Sequence, residues 1–107
     1  MKIIRIDDEE IEFDDGTKIV SSHVQSCCEH IYADFKQLKD TGILDKEIDK
    51  IKIEGVKDSG FRLNGYFVPC YNEQNGCYSS DLALIITRPE EQEQTIDISE
   101  FVEDRIF

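Results

Sequence analysis

The chain has 107 residues, a length typical of one folded domain, and we assign residues 1–107 to a single domain. Its 24 acidic residues outnumber 12 basic ones, for a net charge of −12, which argues against nucleic-acid binding, favours solubility and would attract a basic partner. No apolar run approaches the roughly 20 residues that a membrane span needs, and no secretory signal is recognisable, so the sequence predicts a cytoplasmic protein without a membrane segment.

The first predicted element is a β-hairpin in the stretch IEFDDGTKI. A three-residue loop that ends at Gly16 would place this glycine in the left-handed position of a bulged turn. The same loop pairs Ile11 with Ile19 on one face of the hairpin. On the other face it pairs Glu12 with Lys18, which carry opposite charges.

A main α-helix is predicted next, from Ser26 to Gly42. The sequence Ser-Cys-Cys-Glu that begins at Ser26 matches a capping box, and Gly42 is typical of a left-handed helix end. The helical period gives this segment one apolar face, which we expect to pack on the core. Its members are Cys27, Cys28, Ile31, Phe35 and Leu38.

A second hairpin is predicted around Asn64-Gly65, because this dipeptide is the strongest short-range signal for a two-residue turn. The turn pairs Leu63 with Tyr66 and Phe61 with Val68. All four apolar side chains then share one face, which supports the register.

The remaining apolar stretches predict further strands. Ile51 and Ile53 alternate with charged residues, whereas residues 82–86 (LALII) are typical of a central strand covered on both faces. Ile96 and Ile98 indicate a last strand, followed by a helical turn in SEFVEDRIF. We therefore predict an α+β fold, with one amphipathic helix packed on a mostly antiparallel sheet of about six strands.

The cysteines at the predicted helix start are the first candidate site. His23 precedes Cys27 by one helical turn and could act as its base, and a thiol in the first turn of a helix has its pKa lowered by the helix dipole. His23 and Cys27 thus provide the base and the nucleophile that a thiol nucleophile site needs at least. Because cysteine is among the most buried residue types, we favour core packing of Cys27 and Cys28 over catalysis.

Zinc is a second candidate, since the chain has enough thiol and imidazole ligands. They are His23, Cys27, Cys28, His30, Cys70 and Cys77. Structural zinc sites more often use close C-x2–4-C pairs, and the sequence has none. We therefore predict no metal site and no cofactor.

The polar stretch from Cys70 to Asp81 is the third candidate, because an amide-rich loop with aromatic side chains suits a protein partner or a small polar ligand such as a sugar or peptide. The predicted binding residues are Tyr71, Asn72, Glu73, Asn75, Tyr78 and Asp81. Such loops also form ordinary hairpin ends, and we favour that interpretation over a binding role for this loop.

The pattern His23-x-Gln25-x-Cys27-Cys28-Glu29, followed by an apolar segment and VPCYNEQNGCYSSDLALII, resembles a group of small uncharacterised bacterial and phage proteins that carry a domain of unknown function. The resemblance covers residues 20–87 and implies no activity. The sequence as a whole predicts a non-enzymatic, acidic binding domain. The alternative is a thiol-based or metal-binding site around His23 and Cys27.

Overall fold

The computed structural model describes residues 1–22, 30–74 and 82–106. Within these ranges the chain forms ten β-strands and three short 3-10 helical segments. The strands are β1 (Ile3–Ile6), β2 (Glu10–Phe13), β3 (Lys18–Ser22), β4 (His30–Ala33), β5 (Ile53–Val56), β6 (Gly60–Leu63), β7 (Tyr66–Gln74), β8 (Ala83–Thr87), β9 (Gln94–Asp97) and β10 (Glu103–Ile106). The 3-10 segments are Phe35–Asp40, Ile43–Asp45 and Ser99–Phe101.

The strands form two sheets. The first sheet is antiparallel and has the order β1-β2-β3-β8-β9. The second is built around the long strand β7: its first half pairs with β6, which pairs in turn with β5. The second half of β7 pairs with β4 in antiparallel and with β10 in parallel orientation. Strand β7 is therefore the element that holds the second sheet together.

The predicted α+β fold is wrong, because the described ranges contain ten strands in two sheets and no α-helix. His30–Ala33, which was expected to be helical, is strand β4. Ile31 and Ala33 are fully buried and Tyr32 between them is half-buried, so this stretch has the period of a strand. Pairing with β7 overrides the local helix signal. The capping box itself lies outside the described residues.

The part of the predicted helix after β4 is a 3-10 segment, Phe35–Asp40. Phe35 and Leu38 are fully buried, as the helical pattern predicted, because a spacing of three residues also falls on one face of a 3-10 helix. Gly42 has the predicted left-handed conformation, with φ of 83°, and separates this segment from the next.

The first hairpin prediction is confirmed. Ile11 pairs with Ile19 and Glu12 with Lys18, as the three-residue loop requires. Gly16 has φ of 90°, and its N–H donates to the carbonyl oxygen of Phe13 at 3.1 Å. This is the bulged turn that a left-handed glycine permits.

The second hairpin prediction is also confirmed. Leu63 pairs with Tyr66 and Phe61 with Val68, across a turn in which Asn64-Gly65 has φ of 50° and 89°. Two positive φ angles define the turn type whose twist matches that of the strands. Three of the paired side chains are fully buried, and Tyr66 is half-buried.

Two predictions toward the C-terminus need correction. Strand β8 lies between β3 and β9, but its burial alternates: Leu84 and Ile86 are buried, whereas Ile85 is half-buried. It is a central strand that is covered completely on one face only. The predicted C-terminal helical turn is limited to Ser99–Phe101, after which β10 follows.

One buried cluster takes apolar side chains from both sheets, so the core lies where their inner faces meet. Fully buried members include Ile11 and Leu84 of the first sheet, Ile31 and Phe61 of the second, and Phe35 of the 3-10 segment. Among the residues described, no helix has the length and apolar character to cross a membrane. The cytoplasmic location stays a prediction.

Candidate functional site

The outer face of the second sheet carries a row of rings along β7. Side chains alternate between the two faces of a strand, and Val68 and Cys70 point into the core with no exposed surface. Phe67, Pro69 and Tyr71 therefore lie on the outer face. Phe67 is 39% exposed, and the other two are half-buried.

Tyr32 extends this row onto the neighbouring strand. In the β4–β7 register Tyr32 lies opposite Tyr71, and the two ring centroids are 5.5 Å apart at an interplanar angle of 54°. This is a favourable tilted arrangement of aromatic rings. We call Tyr32, Phe67, Pro69 and Tyr71 the aromatic strip.

Charged side chains border the aromatic strip along β6 and β10. Arg62 lies opposite Phe67 and pairs with Glu54 on β5, with 3.4 Å between Nη1 and Oε1. Glu103 lies opposite Tyr71 in the parallel pairing with β10 and is exposed. The guanidinium beside the strip is therefore matched by a carboxylate, and the other border carries a further carboxylate.

A small hollow opens beside Tyr32, between the β1–β2 turn and the end of β4. Its volume is about 240 Å³, and it is lined by Asp8, Glu9, Tyr32, Ala33 and Asp34. The backbone N–H of Asp34 donates to the carbonyl oxygen of Pro69 at 2.8 Å, which ties this end of β4 to β7. The carboxylate of Asp34 accepts a hydrogen bond from the Gln37 amide at 3.3 Å.

A larger hollow of about 830 Å³ lies on the other side of the β1–β2 turn. Its lining residues are Ile6, Asp7, Asp8, Glu9, Glu10, Val20, Lys36 and Lys39. Lys36 Nζ lies 2.6 Å from Asp8 Oδ1, and this hydrogen bond raises the pKa of the Lys36 ammonium. The larger hollow thus mixes charges of both signs, whereas the described residues that line the small hollow include three acids and no cation.

Arg5 neutralises a different set of acids on the outer face of the first sheet. Its guanidinium pairs with Asp7, with Glu10 at 2.5 Å and with Glu12 at 3.0 Å. The hydrogen bond from Arg5 lowers the pKa of Glu10. Arg5 is therefore engaged with these acids, whereas Asp8 of the small hollow pairs with Lys36.

The structure divides the predicted binding residues. Tyr71 lies on the outer face, but Asn72 is fully buried and points into the core, so the two cannot contact one ligand. The backbone of Glu73 lies between His30 of β4 and Arg105 of β10. The predicted binding residues Asn75, Tyr78 and Asp81 lie outside the described residues.

The predicted thiol and metal sites also fall largely outside the described ranges, because His23, Cys27, Cys28 and Cys77 are not among them. Cys70 is fully buried, and desolvation raises its pKa to about 12. Such a thiol stays protonated at neutral pH and is a poor nucleophile. Within residues 1–22, 30–74 and 82–106, no three potential ligands are close enough to hold a metal ion.

Sequence reasoning missed the residues that the structure brings together. Asp8 was given no functional role, and Tyr32 was placed within the predicted helix. The alternation of Ile31, Tyr32 and Ala33 is the signal that identifies β4 as a strand with Tyr32 on the outer face. The proximity of the β1–β2 turn to β4 leaves no trace in the local sequence.

Comparison with protein-family models, with characterised proteins and with solved structures found no significant match. The resemblance of residues 20–87 to uncharacterised bacterial and phage proteins stays a prediction.

Proposed function

We propose that this chain is a non-catalytic binding module whose ligand is a basic segment of a partner protein. The observation that carries this proposal is the aromatic strip, a continuous row of rings on the outer face of the second sheet with carboxylates at its borders. Its ligand would lie along β7, from Phe67 toward Tyr32.

The aromatic strip suits protein recognition because aromatic residues are enriched at the centres of protein interfaces. Tyrosine and phenylalanine contribute large, rigid contact areas and lose little side-chain entropy on binding. Their ring faces also attract ammonium and guanidinium groups. The pairing of Tyr32 with Tyr71 orients both rings before a ligand arrives, which lowers the entropic cost of binding.

The charge distribution supports a basic ligand over a neutral or acidic one. The chain carries a net charge of −12, so its field accelerates association with a cationic partner. Three acids line the hollow at the Tyr32 end of the strip, namely Asp8, Glu9 and Asp34. Near Phe67, the positive charge of Arg62 is balanced by Glu54.

A thiol or metal site around His23 and Cys27 is the alternative function that the sequence raises. It stays a prediction, since both residues lie outside the described ranges.

The proposal predicts that Tyr71→Ala weakens binding of a basic peptide. Fluorescence anisotropy with a labelled peptide of Arg-Gly-Ser repeats measures the dissociation constant. Loss of one ring contact with a cation should raise that constant roughly 2- to 30-fold. A peptide of Glu-Gly-Ser repeats should not bind, and higher salt should weaken binding of the basic peptide.

Ile4→Ala is the matched control, because Ile4 is 59% exposed but lies on β1 of the other sheet. It should leave the dissociation constant unchanged. Equal binding of the acidic and basic peptides, or an equal effect of Ile4→Ala and Tyr71→Ala, would contradict the proposal.

A further inference from the structure

The small hollow beside Tyr32 has the size of a subsite and not of a whole ligand pocket. Pockets for small molecules usually measure about 300–1,000 Å³. At about 240 Å³ the hollow falls below that range, and it opens at one end of the aromatic strip, since Tyr32 belongs to both. A side chain that projects from a ligand on the strip would enter it.

The lining of the small hollow combines an aromatic ring with carboxylates. Tyr32 forms one wall, and Asp8, Glu9 and Asp34 contribute the charged groups. A ring face and a carboxylate both attract an organic cation, and each attraction strengthens when water is displaced. Within the described residues no group of three such ligands could hold a metal ion, and the ring face suits an organic cation.

The chain's own lysine already contacts this lining from outside. Lys36 approaches Asp8 from the larger hollow, with 2.6 Å between Nζ and Oδ1. Asp8 lines both hollows, and its carboxylate is already engaged by this ammonium.

We infer that the small hollow is the seat of one lysine or arginine side chain of the basic partner, held between the Tyr32 ring and the carboxylates of Asp8 and Asp34. This inference rests on the proposed function. The entering cation shares Asp8 with Lys36 and is repelled by it. Lys36 therefore lowers the affinity of the seat, and its removal strengthens binding.

Two charge variants with opposite expected effects test the seat. Asp34→Asn keeps the shape and the hydrogen-bonding capacity of the side chain but removes a negative charge, so the Arg-Gly-Ser peptide should bind roughly 2- to 5-fold more weakly. Lys36→Gln should bind it roughly 1.5- to 5-fold more tightly. Lys39→Gln is the matched control, because Lys39 lines the larger hollow as Lys36 does, whereas the ion pair with Asp8 belongs to Lys36. Its effect should be smaller than that of Lys36→Gln.

The ligand side of the test replaces arginine by citrulline, which keeps the shape of the side chain and removes its charge. Citrulline peptides should bind more weakly than arginine peptides to the wild-type chain. In Asp34→Asn the dissociation constants of the two peptides should differ less. N-acetyl-arginine amide, a single cationic side chain, should shift the NMR signals of Tyr32 and Asp34 in the unmodified protein.

The outcomes separate the seat from the proposed function. Tight binding of the basic peptide that responds to Tyr71→Ala but not to Asp34→Asn or Lys36→Gln would overturn the seat alone. Shifts with N-acetyl-arginine amide without peptide binding would support the seat and overturn the proposed function. Absence of both signals would overturn both.

Discussion

Cys70 illustrates how burial decides the chemistry of a single residue. Its side chain is fully buried on the inner face of β7, and Sγ lies 3.9 Å from the carbonyl oxygen of Val68, a weak contact. Desolvation disfavours the thiolate and raises the pKa to about 12. Among the described residues Cys70 thus acts as a small core side chain.

We expect Cys70 to resist alkylation by iodoacetamide at pH 8 in the native protein and to react in denaturant. Mass-spectrometric peptide mapping separates Cys70 from the other three cysteines. Since the folded-state pKa is raised above the unfolded value of about 9, the thiol favours the folded state up to that pH. That contribution is lost as the pH rises toward 12. Between pH 9 and pH 12, Cys70→Ala should therefore lose less stability than the wild-type protein.

Rapid labelling of Cys70 in the native protein would contradict this account, because it would require an accessible thiolate.

At the scale of elements, the predictions that succeeded depend on turn chemistry. Gly16 and Asn64-Gly65 specify their hairpins through backbone conformations that few other residues adopt, and the registers follow. The helix prediction failed because pairing with β7, a segment distant in sequence, decides the structure of His30–Ala33. Part of the candidate site could be predicted from the sequence, since Tyr71 was among the predicted binding residues. The contribution of Tyr32 and Asp8 depends on tertiary contacts that local patterns do not encode.

A glycine of the edge strand β5 makes a close contact that gives an element-scale prediction. An ideal Cβ at Gly55 would lie 2.2 Å from the ring of Phe101, which belongs to the last 3-10 segment. Gly55→Ala should therefore destabilise the protein by about 1–3 kcal/mol, the usual cost of overpacking. Urea unfolding followed by circular dichroism measures the difference.

The background variant Phe101→Ala is the control, since it removes every ring atom that would lie within 2.5 Å of the added Cβ. In that background Gly55→Ala should be close to neutral, because alanine is preferred over glycine within a strand once space is present. The two substitutions should thus be coupled in a double-mutant cycle. Additive effects would mean that Gly55 is required for another reason.

For the whole molecule, salt should change the folding stability in two opposite ways, one through the excess of acids and one through the local ion pairs. With a net charge of −12, long-range repulsion destabilises the compact state. Ion pairs such as Arg5–Glu12, at 3.0 Å, and Lys36–Asp8, at 2.6 Å, stabilise it over short distances. The Debye length falls from about 30 Å at 10 mM salt to about 10 Å at 0.1 M, which screens distant charges much more than charges in contact.

We therefore expect the midpoint of thermal unfolding to rise when sodium chloride is increased from 10 mM to 0.1 M at pH 7. Circular dichroism melts at both concentrations measure the change. Arg5→Gln provides the matched variant, since it removes the cation that Asp7, Glu10 and Glu12 share and adds to the net negative charge. Its midpoint should be lower than that of the wild type at 10 mM and should rise more steeply with salt. A midpoint that falls with salt in the wild type would contradict this expectation. It would mean that the ion pairs in contact contribute more to stability than the long-range repulsion between acidic side chains removes.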